Sequence, residues 1–171
     1  MALEESSPAL AVREVVARAV SEPASVQRAL ETPELAQIEM LHYSPDLAIL
    51  SFVWAPGMSI YPHDHGMWAV IGVYAGREDH AFYHRTSPGL AQVGSKQLDA
   101  KDATLLDPQI IHSVENPLSR SAGAIHVYGG DYLTAPRSGF DPETFEESAY
   151  DPEKTRKLFL EANERLRRES S

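Results

Sequence analysis

Cysteine is absent from the 171 residues of this chain, and its absence excludes several kinds of site. Without cysteine there is no disulfide framework of the kind that stabilises small secreted domains. A cysteine-ligated zinc finger and a catalytic thiol nucleophile are excluded as well. The chemistry of this protein must therefore rest on other side chains.

Basic residues are few, because 15 lysines and arginines stand against 25 aspartates and glutamates. The formal net charge of −10 argues against nucleic acid as a partner, since a phosphate backbone needs a basic face. It argues equally against an anionic membrane surface. Apolar runs are far shorter than a membrane span, and the first ten residues contain Glu4 and Glu5 but no basic residue. We therefore expect a cytoplasmic protein without a membrane partner.

Helical patterns occupy the amino-terminal part of the chain, residues 1–35. Apolar residues at helical spacing predict a helix over Pro8–Val20, with Ser7 as its cap and proline in its first turn. A second short helix is expected over Ser25–Leu30. We interpret this part as a helical N-terminal extension.

Short β-rich stretches follow in residues 36–135, and about eight of them are separated by turn signals. They are Gln37–Tyr43, Leu47–Trp54, Met67–Tyr74, His80–Arg85, Leu90–Leu98, Ala103–Leu106, Ile111–Val114 and Ala124–Tyr128. This spacing is typical of a sandwich or barrel. Residues 140–171 are expected to form a C-terminal helical extension, whose last helix begins near Asp151. The length of the chain favours one domain over residues 1–171.

Two histidines, His63 and His65, stand two residues apart in a stretch that is typical of a strand, and His112 follows 47 residues after the second. Side chains at i and i+2 of a strand point to the same face, so both imidazoles can face one point inside a sheet. Neutral imidazole is a common ligand of zinc, iron, copper and nickel. The three histidines therefore predict a metal site. The alternative is a set of core histidines that are bonded to backbone groups.

The residues around these histidines resemble the motifs of the cupin family. Gly57 and Gly76 flank the histidine pair at the family's spacing, and His112 with Asn116 fits the His-x-x-x-Asn end of its second motif. Ala69 stands where the family's glutamate ligand belongs. The resemblance implies a mainly β cupin fold, a double-stranded β-helix or jelly-roll-like barrel, with N- and C-terminal helices. It also implies a metal site of three histidines without a carboxylate.

A three-histidine site is typical of one cupin branch, the thiol dioxygenases, which include cysteine dioxygenase and 3-mercaptopropionate dioxygenase. The run Pro62–His65 is similar to their Pro-x-His-Asp-His stretch. His126 and Tyr128 resemble their Ser-x-His-x-Tyr segment, with Ala124 in place of the serine. Arg137 follows Tyr128 by nine residues, near the place of the carboxylate-binding arginine in the mercaptopropionate branch. This resemblance covers roughly half of the chain.

The resemblance implies oxidation of a small thiol acid, such as 3-mercaptopropionate or cysteine, to a sulfinate. Fe(II) would be the cofactor, although nickel, zinc and manganese also suit histidine ligands. His126 and Tyr128 would form the catalytic pair, and Arg137 would bind the substrate carboxylate through its guanidinium. The thiol and dioxygen would be the partners. Pairing into a homodimer would follow the habit of cupins.

Other interpretations of the same residues stay open. Glu78 or Asp79 could supply the missing carboxylate ligand, and Arg137 could be a solvated loop residue. For His80 and His84, which follow the first motif, we expect exposed or partner-facing roles. A three-histidine cupin could instead cleave a carbon–carbon bond of a diketone, which would not require Arg137. It could also bind a metal or a small ligand without catalysis.

Overall fold

The structure, a computed structural model, describes residues 7–30 and 34–170. The helices are α1 (Pro8–Val20), α2 (Pro23–Leu30) and α3 (Pro152–Glu169). The strands are β1 (Gln37–Ser44), β2 (Leu47–Trp54), β3 (Ser59–His63), β4 (Trp68–Ala75), β5 (Arg77–Arg85), β6 (Leu90–Asp99), β7 (Ala103–Leu106), β8 (Ile111–Glu115), β9 (Ala122–Gly129), β10 (Ser138–Phe140) and β11 (Glu147–Ala149). Within the described ranges, no helix is both long and apolar enough to cross a membrane.

The strands form two antiparallel sheets. One sheet has the order β1-β2-β9-β4-β7, and the other has the order β11-β10-β3-β8-β5-β6. The main core lies between them, where β-branched and aromatic side chains suit pleated, buried surfaces. Its most deeply buried members include Leu50, Trp54, Ala69, Ile71, Val73, Leu98 and Leu106. The predicted mainly β fold with helices at both ends is confirmed.

The two N-terminal helices lie on the outer face of the five-stranded sheet. Val16 and Val20 of α1 pack in one buried cluster with Val70, Tyr74 and Val127. Helix α1 has the predicted bounds, although the Ser7 side chain makes no capping hydrogen bond. Helix α2 begins two residues before the predicted start. The remainder of the predicted N-terminal extension, residues 1–6 and 31–33, lies outside the described residues.

Helix α3 closes one edge of the core. Its cap is Asp151, whose side chain accepts a hydrogen bond from Glu153 N at 2.9 Å. Its buried face carries Phe159, which packs against the rings of Phe52 and Trp54. Helix α3 therefore covers the aromatic interior of the barrel.

The segment between residues 138 and 149 differs from the prediction. We expected a helical extension from residue 140, but the chain first forms the short strands β10 and β11. Strand β10 pairs with β3, where Gly139 stands opposite His63. Strand β3 is not among the eight stretches named above, but it includes His63, which we placed in a strand, and it ends before His65. Strands of three residues carry too little periodicity to be recognised in a sequence.

Asn163 connects helix α3 to Ala36, the residue directly before strand β1. Its side chain accepts a hydrogen bond from Ala36 N and donates one to Ala36 O, both at 2.8 Å. Both residues are buried. Because an unpaired buried backbone group is costly, this residue satisfies a donor and an acceptor that nothing else in the described part of the chain satisfies.

We expect Asn163→Ala to lower the free energy of unfolding by about 2–3 kcal/mol, because both backbone groups of Ala36 lose their partner. The midpoint of urea unfolding measures the change. Glu164→Ala is the control, since Glu164 is exposed and pairs with Arg168 only at 3.7 Å. It should stay within about 0.5 kcal/mol of the wild type. Equal midpoints for the two variants would show that the anchor contributes no stability.

Candidate metal centre

The three histidines predicted as ligands lie together in the interior. His63 is the last residue of β3, His112 lies on β8, and the two are directly paired across the sheet. His65 approaches from the loop that follows β3. The ring centroids are 4.8 Å apart for His63 and His112, 4.9 Å for His65 and His112, and 5.0 Å for His63 and His65. One nitrogen from each ring falls within 4.8 Å of the others, and all three residues are buried.

His65 reaches this position differently from the expectation that it shares a strand face with His63. Strand β3 ends at His63, and the chain then turns at Gly66, which has φ +64°. Asp64 fixes the turn, because its carboxylate accepts hydrogen bonds from Ser138 N at 2.8 Å and from the Arg85 guanidinium at 2.9 Å. The Asp64 carboxylate is thus held by hydrogen bonds on the side of Ser138 and Arg85, while His63 and His65 face the interior.

Burial keeps the three imidazoles uncharged. It lowers the pKa of His63 to about 4, and it lowers the pKa of His65 and His112 well below the ordinary value. Neutral imidazole is the form that binds a metal. The Nε2 atoms of His65 and His112 are 3.3 Å apart. Two nitrogens that ligate one ion at about 2.1 Å lie about 3.0–3.4 Å apart, so the His65–His112 pair has the spacing of two ligands of one ion.

Polar contacts on the outer sides of the rings support the same conclusion. His63 Nδ1 lies 2.9 Å from Tyr61 O, so this nitrogen donates and leaves Nε2 bare for an ion. His65 Nδ1 has no hydrogen-bond partner in the described part of the chain. Among the described residues it is the one buried side-chain nitrogen or oxygen atom of which this is true. Ala69, at the position of the cupin glutamate, is fully buried beside Tyr128 and offers no ligand atom.

Glu78 does not belong to this histidine group, although we considered it as a ligand. Its carboxylate is fully buried on β5. It accepts a hydrogen bond from Trp54 Nε1 at 2.6 Å and lies 3.2 Å from His126 Nε2 and 3.1 Å from His80 Nε2. Asp79, the other candidate ligand, faces outward and pairs with Arg77 at 2.6 Å.

The pKa of Glu78 results from two opposing effects. Burial alone raises the pKa of this carboxyl, but the His126 ring and the hydrogen bonds from His126 and His80 outweigh burial. They hold the pKa well below its ordinary value, so Glu78 is a carboxylate. A full negative charge therefore lies inside the barrel, and every oxygen of it is bonded to a ring N–H.

His80 corrects a prediction. We expected it to be exposed or to face a partner, but it is buried between Glu78 and His112. Its Nδ1 lies 3.0 Å from His112 Nδ1. His84, two positions further along β5, is exposed as expected. The pairing of β5 with β6 shifts register between Phe82 and Tyr83, and the strand is exposed from His84 onward, which sequence spacing cannot show.

His126 and Tyr128 lie side by side on β9, with His126 Nδ1 3.1 Å from the Tyr128 hydroxyl. Both line the same cavity as the three histidines. Burial raises the pKa of Tyr128 well above its ordinary value, so the phenol keeps its proton. Ala124 cannot orient His126 as the serine of the thiol dioxygenases would. Glu78 does so instead, because it accepts from His126 Nε2.

Arg137 lies in the wall of this cavity. Its guanidinium carbon is 4.6 Å from the ring centre of Tyr132 and 4.4 Å from that of Tyr150. Such cation–π stacking holds a guanidinium in place without using its N–H donors. Among the described residues no carboxylate pairs with Arg137. Its donors are therefore open to an anion.

The cavity at the histidines measures about 20 Å³, which is room for one water molecule or one ion. A larger pocket of about 310 Å³, the vestibule, lies outside it and has a mainly apolar lining. Four side chains line both spaces and so lie between them: Tyr132, Arg137, Tyr150 and Thr155. A molecule larger than water that enters from the vestibule must displace some of these side chains to reach the histidines.

Sequence analysis considers Glu78 only as a possible metal ligand and expects His80 to be exposed, so it does not identify the buried contact between them. The sequence does carry a signal that these side chains lie together. Every second position of β5 must share one face, and these positions include Glu78, His80 and Phe82. The outward neighbours Asp79 and Ala81 gave no contrast in polarity that would identify the inner face. The burial of Glu78 and His80 does not follow from this pattern, because charged residues are rarely buried.

No protein-family model matches this chain. Solved structures that it resembles include a conserved protein with a double-stranded β-helix domain from Klebsiella pneumoniae, with 15% identity, 63% of this chain and 81% of that chain covered, and a TM-score of 0.50. An RmlC-like cupin protein from Methanocaldococcus jannaschii has 11% identity over 60% of this chain and 89% of its own, also at 0.50. The DMSP lyase DddQ from Ruegeria pomeroyi has 17% identity over 64% of this chain and 53% of its own, again at 0.50.

At these identities the likeness extends to the fold alone. The Klebsiella and Methanocaldococcus proteins have a double-stranded β-helix, the second of them as a cupin, and the Ruegeria protein is a lyase. Two antiparallel sheets, a three-histidine group between them and helices at both ends agree with that architecture. The chain has the cupin fold, a double-stranded β-helix with N- and C-terminal helices.

Proposed function

We propose that this protein is a non-haem iron dioxygenase that oxidises a small thiol acid to a sulfinate. In this reaction the thiol R–SH and one O₂ give R–SO₂H, so both oxygen atoms end on sulfur. The observation that carries the proposal is one cavity lined by three uncharged histidines, without a carboxylate ligand, and by an unpaired arginine. Iron bound by His63, His65 and His112 would supply the redox chemistry.

The absence of a carboxylate ligand favours an anionic substrate. Three neutral imidazoles leave the charge of a divalent ion uncompensated, since a methyl group stands at Ala69. A thiolate supplies one negative charge at that place. Arg137 would bind the carboxylate at the far end of the same molecule with two parallel N–H bonds. A diketone would use the histidines but would leave Arg137 without a partner.

Tyr128 and His126 are suited to accept the proton that a thiol releases. The Tyr128 oxygen would take this proton while its own proton passes to His126 Nδ1, 3.1 Å away. Glu78, 3.2 Å from the other ring nitrogen, would stabilise the imidazolium that forms. The stacked rings of Phe52 and His126, 4.2 Å apart, keep this histidine in its orientation.

The wall between the cavity and the vestibule would control entry. A thiol acid is larger than one water molecule, so its binding must displace part of the layer formed by Tyr132, Arg137 and Tyr150. Arg137 stands in that layer and would meet the carboxylate as the thiol passes inward. Closing the layer over the substrate would then exclude water from the histidines.

Oxygen uptake by the iron-loaded protein tests this function. We expect turnover with 3-mercaptopropionate or cysteine, little with 2-mercaptoethanol, and none with a 1,3-diketone. The product should be the sulfinate, identified by mass spectrometry with both atoms of ¹⁸O₂. Turnover of the diketone alone would replace our proposal by carbon–carbon cleavage. Tight metal binding without any turnover would indicate a binding protein.

We predict that His65→Ala and His112→Ala bind iron much more weakly than the wild type. Loss of an outer partner of a ligand already costs about 10- to 100-fold in metal affinity, so loss of a ligand should cost more. Metal content after anaerobic loading and desalting measures the effect. His84→Ala removes an exposed histidine of β5 and should keep its metal. Normal metal content in the two ligand variants would contradict the site.

Tyr128→Phe should reduce turnover by about 10- to 100-fold while metal content stays near that of the wild type, because the hydroxyl serves the substrate and not the ion. Steady-state oxygen uptake and metal analysis on the same sample separate the two effects. The control is Tyr83→Phe, which removes a hydroxyl that contacts Ser113 at 3.1 Å, outside the cavity. If both variants turn over like the wild type, His126 and Tyr128 are packing residues.

Arg137→Ala should lower kcat/KM for 3-mercaptopropionate by at least about 30-fold, since removing one partner of a buried charge pair costs about 2–5 kcal/mol. The slow reaction with 2-mercaptoethanol should change little. Arg156→Ala is the control, because Arg156 lines the vestibule but pairs with Glu153 at 2.9 Å. An equal loss for both thiols would mean that Arg137 shapes the wall and does not bind the carboxylate.

A further inference from the structure

The Glu78 carboxylate determines where the protons lie on the rings around it. A carboxylate only accepts hydrogen bonds, so the three ring nitrogens that face it must all carry hydrogen. These are Trp54 Nε1 at 2.6 Å, His126 Nε2 at 3.2 Å and His80 Nε2 at 3.1 Å. Trp54 and His126 share one oxygen, while His80 has the other to itself.

The position of the hydrogen on His80 determines the position of the hydrogen on His112, a histidine of the metal centre. A neutral imidazole has one N–H, so the hydrogen on His80 Nε2 leaves His80 Nδ1 as an acceptor. The group facing it at 3.0 Å is His112 Nδ1, which must therefore carry the hydrogen of that ring. His112 Nε2 is then bare, and it faces His65 Nε2 at 3.3 Å. The planes of the His80 and His112 rings differ by only 6°, which is compatible with a hydrogen bond in the plane of both rings.

We infer that Glu78 and His80 are positioning residues that set the tautomer of His112 and hold its Nε2 lone pair toward the metal. Metal-bound histidines commonly donate their other N–H to a carboxylate, and here one imidazole is inserted between the two. The inference goes beyond the proposed oxidation, because it concerns metal binding and holds for any substrate. Neither residue touches the ion or the reacting atoms.

The same carboxylate also serves the second residue pair of the site. His126 donates to the oxygen shared with Trp54, so His126 Nδ1 is an acceptor for the Tyr128 hydroxyl at 3.1 Å. One buried charge thus orders the protons on a metal ligand and on the tyrosine beside the cavity. Ala69 offers no carboxylate to the three histidines, but the negative charge of Glu78 lies two hydrogen bonds away from His112.

Glu78→Gln tests the inference at constant size. The glutamine oxygen must accept from Trp54 and His126, so the amide NH₂ would face His80 Nε2. His80 would then accept there and donate from Nδ1, which shifts the hydrogen of His112 onto Nε2. We expect the Kd for Co²⁺, measured by its visible absorption on the metal-free protein, to rise about 10- to 100-fold.

Asp79→Asn is the matched control, because it removes the same charge from the neighbouring position of β5 but faces outward to Arg77. It should bind Co²⁺ within about twofold of the wild type, because this partly exposed pair contacts neither His80 nor a histidine of the metal centre. Thermal unfolding of the metal-free proteins separates a tautomer effect from a general loss of structure. If Glu78→Gln stays folded and binds Co²⁺ as tightly as Asp79→Asn, the inference is wrong.

His80→Phe provides a second route should Glu78→Gln not fold, since it keeps a ring beside Phe82 and removes the acceptor of His112 Nδ1. It should weaken Co²⁺ binding by a similar factor, and adding Glu78→Gln should then cause no further loss. Independent, multiplying effects would show that Glu78 does not act through His80. A wild-type protein that binds no Co²⁺ would overturn the metal centre itself, which is a different result.

Discussion

The Glu78 carboxylate is an ion without access to water, and the interior of this barrel is arranged around it. Taking an ionised group out of water costs several kcal/mol unless hydrogen bonds replace its hydration. Here three ring N–H groups replace it, and those rings come from both sheets. Glu78 and His80 belong to the six-stranded sheet, whereas Trp54 and His126 belong to the five-stranded one. The charge therefore fixes the two sheets relative to each other at the level of the metal centre.

This constraint explains why the site can dispense with a carboxylate ligand. A glutamate that binds the ion directly would neutralise it and occupy one coordination position. A glutamate separated from the ion by the rings of His80 and His112 would leave that position free and still supply negative charge to the region. It also makes the geometry of His112 and His126 depend on the same group, so the metal ligand and the tyrosine cannot reorient independently. A four-ligand cupin has its glutamate on the ion, whereas here the buried carboxylate lies beside His80 and His126.

Periodicity and motif spacing predicted the helix over Pro8–Val20, most strands, and the convergence of His63, His65 and His112. These features depend on local patterns that a sequence carries. The inward orientation of Glu78 and His80 does not, because it depends on which face of β5 meets the core, and both faces of that strand are polar. The turn that removes His65 from the strand depends on Asp64 and Ser138, which are 74 residues apart. Contacts between residues far apart in the sequence therefore determine these orientations, and motif spacing does not predict them.

The charges around the cavity narrow the class of substrate further. A divalent ion at the three histidines would, together with Arg137, bring three positive charges, against one negative charge on Glu78. A thiolate that also carries a carboxylate would balance the remaining two positive charges. A thiol without a carboxylate would leave one positive charge uncompensated after it ionises. In a space of about 20 Å³ that excludes bulk water, an uncompensated charge is costly. The proposed thiol acid is thus favoured over a simple thiol by the same electrostatics that keep Glu78 bonded on every side.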